Sequence, residues 1–411
     1  MIQILKGMKD IHYTNMDKYE FITDTSTKVF KKYGYSRIIT PILEELDLFK
    51  RSVGDETDVV SKEMYTFTDK GGRSVALRPE GTAGVVRAFL DAKLYNIQAC
   101  TKWFYFGSMY RYEAPQKGRF REFNQVGIEC FGIRNPMLDA SIISMGVEFL
   151  EKLGLKDLTV EINSLGNIES RKKYIKALQE YLISNYENLS ENSKIRCYKN
   201  PLRVLDSKED DKIVENAPNL YDFFDEESSD YFKSVLYYLD KFKVKYIVNN
   251  KLVRGLDYYS DTVFEIKSSL LGAQATVLGG GRYDKLIETL STKSVPAIGF
   301  AAGIERISLL LDENLIPKKH KKVYIIYFDE TKDYLFDVLN ELHDSDIEIN
   351  YEYSIKNFNS QMKKANKINA DYVIILGQDE YDTKTISLKN FKTSEQKNIP
   401  LNELKGVFNH V

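Results

Sequence analysis

The sequence predicts an α+β protein, in which a strand-rich domain carries a helical insertion and is followed by a small α/β domain. Three observations support this fold class. Two strand-like runs flank a polar loop between Trp103 and Gly132. A strongly charged stretch with a helical pattern, from about residue 170 to 232, interrupts the strand signals. After Lys322, strand-like runs alternate with helical runs, which is typical of a small parallel α/β domain.

A first helix is expected from Asp17 to Tyr33, because apolar residues recur there at helical spacing. Gly34 follows, and glycine is the usual residue just beyond a helix C-terminus. An extended run then reaches from Tyr35 to Pro41, where the proline breaks any helix.

Composition limits the classes of partner. A chain of 411 residues is too long for one core, so two or three domains are expected. The net charge is −2, so any nucleic acid must be held by local basic patches. Two short runs are candidates for such patches. The first holds Lys117, Arg119 and Arg121, and the second is a run of lysines in a linker, Lys318, Lys319, Lys321 and Lys322.

Cysteine and histidine spacing gives no sign of a metal or disulfide site. The three cysteines, Cys100, Cys130 and Cys197, are far apart in the sequence. The histidines are equally scattered, at His12, His320, His343 and His410. The start of the chain lacks the pattern of a signal peptide, and the longest apolar run is too short to span a bilayer. We therefore expect no zinc bound by cysteine or histidine, no membrane segment and a cytoplasmic location.

The strand from Phe120 to Phe131 carries the most informative pattern. Its residues alternate with period two, and Val126, Ile128 and Cys130 form an ordinary core face. The opposite face presents a ring, an amide, a bare backbone and a carboxylate in a row: Phe123, Gln125, Gly127 and Glu129. This arrangement indicates a polar ligand with a planar group, although a solvated hairpin face is the ordinary alternative.

Arginines stand at the ends of the two strands, at positions 111, 119 and 121. Their guanidinium groups suit phosphate and carboxylate. A further arginine, Arg306, falls in the first turn of a helix that follows Gly303, where a cation opposes the helix dipole. An anion bound by both Arg306 and the helix N-terminus would offset this unfavourable interaction. A surface salt bridge of Arg306 would also explain the arginine at this position.

Two other motifs are weaker. The stretch from Leu77 to Lys93 predicts a helix that begins after Pro79, with Glu80 and Thr82 at its N-terminal edge. Capping of the helix alone explains Thr82 well. The triple glycine that begins at Gly279 lets backbone approach a ligand, but it is often only a turn.

Taken together, these segments resemble the histidyl-tRNA synthetases, a family of class II aminoacyl-tRNA synthetases. The resemblance covers essentially the whole chain. It rests on seven segments in order: GMKD at Gly7, ALRPEGTAG at Ala76, RYEAPQKGRFREFNQVGIECFG at Arg111, NPLRVLD at Asn200, LVRGLDYYSDTVFE at Leu252, GGGRYD at Gly279 and GFAAGIERISLLL at Gly299.

The resemblance implies a division of the chain. Residues 1–316 would form a class II catalytic domain with an antiparallel sheet flanked by helices and a helical insertion at about 170–232. Residues 317–322 would be a linker, and 323–411 an anticodon-binding α/β domain. A homodimer is also implied, with the first helix and the Tyr35 to Pro41 run in its interface.

The resemblance also implies the reaction and its residues. Histidine is activated with ATP to histidyl-adenylate and transferred to the 3′ end of the histidine tRNA, with one Mg²⁺ on the β- and γ-phosphates. Arg254 and Arg111 would be catalytic. The implied ATP-binding residues are Arg111, Glu113, Phe123 and Arg306. The implied histidine-binding residues are Glu80, Thr82, Gln125, Glu129, Arg254, Tyr258 and Tyr259. Gln116, Arg119 and Arg121 would contact the tRNA acceptor end.

Two alternatives are weaker. A catalytically inactive, synthetase-like regulatory subunit of histidine biosynthesis would lack the C-terminal domain and several of the arginines that are present here, Arg111, Arg254 and Arg306. A class II synthetase for threonine, proline or glycine would not carry the RGLDYY and RPEGT segments, which select histidine.

Overall fold

The computed structural model describes residues 2–54, 57–116, 118–317 and 320–408. Lys117, Lys318, Lys319 and His410 therefore lie outside the described residues. The chain divides into two compact units, Met1–Ile316 and Pro317–Val411.

The first unit contains strands and helices in mixed order. Its strands are β1 (Ser36–Arg37), β2 (Leu43–Glu45), β3 (Thr66–Thr68), β4 (Ser74–Leu77), β5 (Thr101–Tyr110), β6 (Glu122–Phe131), β7 (Leu158–Ser164), β8 (Tyr246–Val248), β9 (Ser260–Ser268), β10 (Thr276–Arg282) and β11 (Ala297–Gly303). Its helices are α1 (Thr14–Lys32), α2 (Leu46–Val53), α3 (Thr82–Asp91), α4 (Pro136–Lys152), α5 (Ile168–Ser184), α6 (Glu191–Lys199), α7 (Asp211–Glu215), α8 (Glu226–Lys241), α9 (Leu286–Leu290) and α10 (Ile304–Ser308).

A large sheet organises this unit, with strand order β1-β5-β6-β11-β10-β9-β7-β8. The two outermost pairs, β1 with β5 and β7 with β8, are parallel, and every pair between them is antiparallel. A small sheet, β2-β4-β3, stands apart from it. The expectation of an antiparallel sheet flanked by helices is confirmed.

One face of the large sheet is sealed by helices. Ile22 and Phe30 of α1 and Phe149 of α4 belong to the same buried cluster as Val126 and Ile128 of β6. The predicted core face of the second hairpin strand is thus buried, and its other face remains for the site. The first helix also matches the prediction closely, and Gly34 follows it in the left-handed region at φ 81°.

Register explains why the free face of β6 is concave. β6 lies between β5 and β11, and its residues Gln125, Gly127 and Glu129 pair with residues of both neighbours. On the β11 side these partners are small: Gly303, Ala301 and Gly299. Small side chains on that strand leave room above the sheet for a ligand.

Helices fill the region between β7 and β8, where the charged helical stretch was predicted. It holds α5 to α8 together with short 3₁₀ segments, including Pro201–Asp206. Strands resume at β8 and β9, near the positions that the sequence indicated.

The second unit is a mixed sheet, not the purely parallel one expected. Its strands are β12 (Lys321–Tyr327), β13 (Ile347–Asn350), β14 (Tyr372–Leu376), β15 (Thr385–Asn390) and β16 (Gln396–Pro400), in the order β13-β12-β14-β15-β16. Its helices are α11 (Lys332–Glu341), α12 (Phe358–Lys367), α13 (Gln378–Thr383) and α14 (Leu404–Phe408).

The parallel prediction is correct for β13, β12 and β14 and wrong for the last two strands, which pair antiparallel. The reason is the length of the connection. A parallel crossover needs about a dozen residues or more. The chain from Leu376 to Thr385 holds only the short helix α13, so β15 returns antiparallel beside β14. Across both units, no described helix is long and apolar enough to cross a membrane.

Candidate active site

A cavity of ≈ 310 Å³ lies above the free face of β6, β10 and β11. We call it the arginine cavity, because it is lined by four arginines, Arg111, Arg119, Arg254 and Arg306. Phe123 and Gln125 of β6 also line it, as do three carboxylates, Glu113, Glu265 and Glu305.

Arg111 and Arg119 share one carboxylate. Glu113 lies 3.7 Å from Nη1 of Arg111 and 3.3 Å from Nη1 of Arg119. Arg111 is also fixed by a bond from its Nε to the carbonyl of Pro79 at 2.9 Å, and its guanidinium lies 5.5 Å from the centroid of the Phe123 ring. An anion that enters the cavity would compete with Glu113 for these guanidinium groups.

Arg254 forms an ion pair with Glu265 of β9. Glu265 is held in turn by the hydroxyl of Thr276 at 2.6 Å. Burial is the largest single influence and acts against the charge of Arg254, but the Glu265 carboxylate, together with Tyr259 and Tyr258, outweighs it, and the pKa of Arg254 is raised. Glu265 was not among the predicted residues, although it lies in the LVRGLDYYSDTVFE segment.

The triple glycine makes room for the Arg254 side chain. Gly279 lies inside β10, and a β-carbon there would stand 2.5 Å from Nη2 of Arg254. The residue is therefore needed for the close approach of a side chain to the sheet, and the turn interpretation is wrong.

Arg306 reaches across the cavity to β10, where its Nη1 donates to the carbonyl of Thr276 at 2.7 Å. Burial, assisted by the charge of Arg119, lowers the pKa of Arg306. The helix that carries it, α10, has only five residues. A shared anion at this helix end stays a prediction.

Beside the cavity lies a set of buried polar groups around Glu129, which we call the Glu129 cluster. The Glu129 carboxylate is only 1% exposed. Its Oε1 accepts from the hydroxyls of Thr82 at 2.7 Å and Tyr105 at 3.4 Å, and Oε2 accepts from the hydroxyl of Tyr283. Burial raises the pKa of Glu129 to about 8. In this cluster, the hydroxyl groups of protein side chains take the place of water as hydrogen-bond donors to the buried carboxyl group.

Tyr105 and Tyr283 were missed by the sequence reasoning. A weak signal existed for Tyr105, because Gly127 directly opposes it across the hairpin, and a β-carbon at Gly127 would stand 2.5 Å from its ring. Using that signal requires the register of the hairpin, which the loop length alone does not provide.

Glu80, not Thr82, caps the helix α3. Its carboxylate accepts the backbone N–H groups of Thr82 and Ala83, both at 2.7 Å. The expectation that capping explains Thr82 is therefore wrong, since the Thr82 hydroxyl donates to Glu129. Sequence spacing could not show this, because Thr82 and Glu129 are 47 residues apart.

The remaining predicted residues complete the region. The rings of Tyr258 and Tyr259 lie 4.7 Å apart, and Tyr258 lies 5.5 Å from Tyr283 of the cluster. Gln125 lies on the same strand as Glu129 and lines the arginine cavity, and its Oε1 is buried without a hydrogen-bond partner among the described atoms. The structure thus brings together all the residues predicted to bind histidine.

The loop residues predicted for tRNA separate into two groups. Gln116 and Arg119 bond each other through their backbones, and the Arg119 side chain lines the arginine cavity. Arg121 instead stacks on Tyr112, 3.7 Å from its ring, and its N–H bonds to the carbonyl of Gly7.

Within the described ranges, no group of three or more histidine, cysteine or acidic side chains could hold a metal ion. Cys100 and Cys130 do meet in the fold, with their sulfur atoms 3.8 Å apart, as free thiols.

Comparison with known proteins agrees with this geometry. A family model described as histidyl-tRNA synthetase matches residues 7–307, and one described as an anticodon binding domain matches residues 322–410. A curated histidine–tRNA ligase from Halothermothrix orenii is 45% identical over 405 residues, which covers 97% of each chain.

Solved structures give the same result. The crystal structure of S. aureus histidyl-tRNA synthetase is 35% identical, with a TM-score of 0.83 over 99% of this chain and 100% of that one. A Bacillus halodurans structure titled as an ATP phosphoribosyltransferase regulatory subunit/histidyl-tRNA synthetase has a TM-score of 0.61 over 89% of this chain and 96% of that one, at 19% identity. That identity shows a shared fold alone, so the regulatory-subunit alternative is less supported. The chain belongs to the histidyl-tRNA synthetase family, the ligases that use ATP to join histidine to tRNA.

Proposed function

We propose that the arginine cavity binds ATP, that the Glu129 cluster binds histidine, and that the two reactants meet between Gln125 and Arg254. The histidine carboxylate then attacks the α-phosphate of ATP and expels pyrophosphate. The terminal hydroxyl of the tRNA next attacks the mixed anhydride and releases AMP. The observation that carries this proposal is the junction of four cavity arginines with a buried polar cluster through these two side chains.

In the cavity, Arg111 clamps the α-phosphate and Phe123 stacks on the adenine. Arg306 covers the other face of the adenine and reaches the γ-phosphate. The ion pairs of Arg111 and Arg119 with Glu113 support these roles, because a phosphate can replace the carboxylate as their partner. Positioning and charge stabilisation of this kind dominate catalysis of phosphoryl chemistry.

A magnesium ion fits this donor set. Glu113 and Glu305 line the cavity, and carboxylate oxygens are the hard ligands that Mg²⁺ accepts in addition to the phosphates of ATP. These residues would hold the ion, which would supply positive charge to stabilise the departing pyrophosphate.

Arg254 acts between the histidine carboxylate and the α-phosphate, a place that a metal ion takes in many related enzymes. Its ion pair with Glu265 holds it beside Gly279 on the sheet. A fixed cation beside a developing negative charge stabilises the transition state more than the ground state. Arg254 is therefore assigned to the rate of activation and not to ATP affinity.

Histidine recognition divides into two parts. Gln125 accepts from the α-ammonium, because its buried Oε1 needs a donor, and Glu80 and Thr82 add further acceptors. Glu129 and Tyr259 bond the two ring nitrogens, with Tyr258 packing nearby. Glu129 already accepts three hydroxyl groups, so a histidine ring must replace or add to one of them. A site built on such bonds rejects analogues without the ring nitrogens by roughly 10⁴-fold.

The remaining assignments concern partners and location. Gln116, Arg119 and Arg121 would contact the acceptor end of the tRNA. A homodimer is supported by the exposure of an apolar side chain in the run from Tyr35 to Pro41, since Ile39 is 78% exposed. The proposed location is the cytoplasm.

Amino-acid-dependent pyrophosphate exchange tests the central proposal. The purified chain is expected to exchange labelled pyrophosphate into ATP with histidine and with none of the other nineteen amino acids. Exchange stimulated by another amino acid, or by none at all, would contradict it.

A truncation tests the two-domain proposal, in which residues 1–316 are catalytic and 323–411 bind the anticodon. A chain ending near Pro317 is expected to keep histidine-dependent exchange and to charge tRNA with a raised KM for tRNA. Light scattering must first show that the truncated chain is still dimeric. Equal charging by a folded, dimeric truncation would show that the second unit has another role.

A further inference from the structure

The segment Arg254–Tyr259 is the last part of the connection from β8 to β9 and has no regular secondary structure. It carries side chains from both halves of the proposed site, Arg254 at one end and Tyr258 and Tyr259 at the other. Backbone polar groups outside helices and sheets must be bonded by side chains or water. The position of these three side chains therefore depends on what holds the backbone of the segment.

Arg203 holds the start of the segment. It lies in the 3₁₀ helix Pro201–Asp206, within the helical region between β7 and β8. Its Nη1 donates to the carbonyl of Arg254 at 3.2 Å and its Nη2 to the carbonyl of Gly255 at 2.5 Å. A single guanidinium thus grips two successive carbonyls, a task that its planar fork suits.

Two neighbours in the same helical region hold the rest of the segment. Arg171 of α5 donates through Nη1 to the carbonyl of Tyr259 at 2.6 Å and to that of Asp257 at 3.5 Å. The side-chain amide of Asn200 donates to the Asp257 carboxylate at 2.9 Å. All these contacts come from residues 51 to 88 positions away in the sequence, and all of those residues belong to the helical region between β7 and β8.

We propose that Arg203, assisted by Arg171, is a positioning residue for histidine activation. It fixes the backbone of the segment Arg254–Tyr259 and thereby the direction of the Arg254 guanidinium. Among the described residues that line the arginine cavity, Arg203 does not appear, so it acts through the segment. This inference rests on the roles proposed above for Arg254 and Tyr259.

The two arginines should respond differently to replacement by lysine. Arg203 uses two nitrogens on two carbonyls, and a lysine has a single nitrogen to offer. Arg171 uses one nitrogen, which a lysine can imitate. Arg203→Lys should therefore release the segment, whereas Arg171→Lys should largely retain it. A general need for positive charge would make the two replacements equal.

Single-turnover formation of histidyl-adenylate by the full-length chain tests the proposal. Arg203→Lys is expected to slow this step about 10- to 100-fold, because small misplacement of a catalytic group costs that much. The KM for ATP and the melting temperature should stay at their parental values. Arg171→Lys should lose much less, and the control Arg73→Lys, whose guanidinium pairs with Asp69 at the surface, should lose nothing.

The outcomes separate this inference from the proposed function. A parental rate for Arg203→Lys, or a loss of rate that accompanies a fall in melting temperature, overturns the positioning role. If Arg203→Lys does not fold, Asn200→Ala replaces it and must slow the step at an unchanged melting temperature. Arg254→Ala is measured in parallel. A parental rate there overturns the catalytic role proposed for Arg254, whereas a slow Arg254→Ala beside a parental Arg203→Lys overturns only the positioning role.

Discussion

The arginine cavity and the neighbouring Glu129 cluster differ in the partners of their charged groups. In the cavity, cations meet carboxylates, as in the pairs of Arg254 with Glu265 and of Arg119 with Glu113. In the cluster, a single carboxylate meets hydroxyl groups, and burial raises its pKa to about 8. In the cavity, an anionic ligand can replace a carboxylate as the partner of an arginine. Hydroxyl groups surround the cluster carboxyl group with uncharged partners, which suits a neutral or weakly charged polar ring.

Under the proposed assignments, this contrast shows how one sheet face binds two substrates. Phosphates need fixed cations, and the cavity supplies arginines from the β5–β6 hairpin, the segment Arg254–Tyr259 and α10. An imidazole needs hydrogen-bond partners without strong competing charge, which tyrosine and threonine hydroxyls provide. The following four predictions test the contrast, from the largest expected effect to the smallest.

Replacing Arg254 by alanine should have the largest effect. It removes a cation that faces charge developing in the transition state, which is worth about 10² to 10³ in rate. ATP affinity should change little, because Arg111 and Arg306 remain. Presteady-state adenylate formation and ATP binding measure the two quantities, with Arg73→Ala as the surface control. A rate within a few-fold of the parent would remove Arg254 from the mechanism.

Glu129→Gln should damage histidine use and spare ATP. The replacement removes the side chain's ability to ionise and to form a charge-assisted bond to the ring when histidine binds, at about 1.5–3 kcal/mol, or roughly 10- to 100-fold in kcat/KM for histidine. Glu122→Gln is the matched control, since that carboxylate lies on the same strand and accepts from Tyr110. Equal damage to both substrates would mean that the cavity and the cluster are one structural unit.

The same variant should change how stability depends on pH. Burial raises the pKa of Glu129 from 4.5 to about 8, so the folded state keeps a proton that the unfolded state has released in that range. The free energy of unfolding of the parent therefore falls as pH rises from about 4.5 to about 8, relative to Glu129→Gln. Chemical unfolding of both proteins at several pH values measures the difference. A difference that is constant with pH would show an ordinary pKa for Glu129.

Removal of zinc should have no effect on either region. Neither the cavity nor the cluster uses cysteine or histidine ligands, and no metal-binding group occurs in the part of the chain that the structure describes. Histidine-dependent exchange should therefore proceed at its full rate after treatment with a zinc-selective chelator in the presence of Mg²⁺. Loss of exchange that zinc alone restores would contradict this expectation.

Local pattern was enough for much of the fold and for the strand face on which part of the candidate site lies. Period two on β6 separated Val126 and Ile128 from Gln125 and Glu129, and the structure buries the first pair in the core. Helical spacing and Gly34 located the first helix. Motif order indicated the family. These features depend on residues close in sequence, whose geometry the backbone itself imposes.

Tertiary structure alone decided the partners of the functional side chains. Tyr283 donates to Glu129 from 154 residues away, and Arg203 holds the carbonyl of Arg254 from 51 residues away. Antiparallel return of β15 in the second unit likewise depended on the length of a connection, which the alternation of strands and helices does not show. Register and crossover geometry bring such residues together, and neither is encoded in any single stretch of chain. The sequence by itself determined which groups share a face of a strand or helix, and the fold determined which groups contact each other.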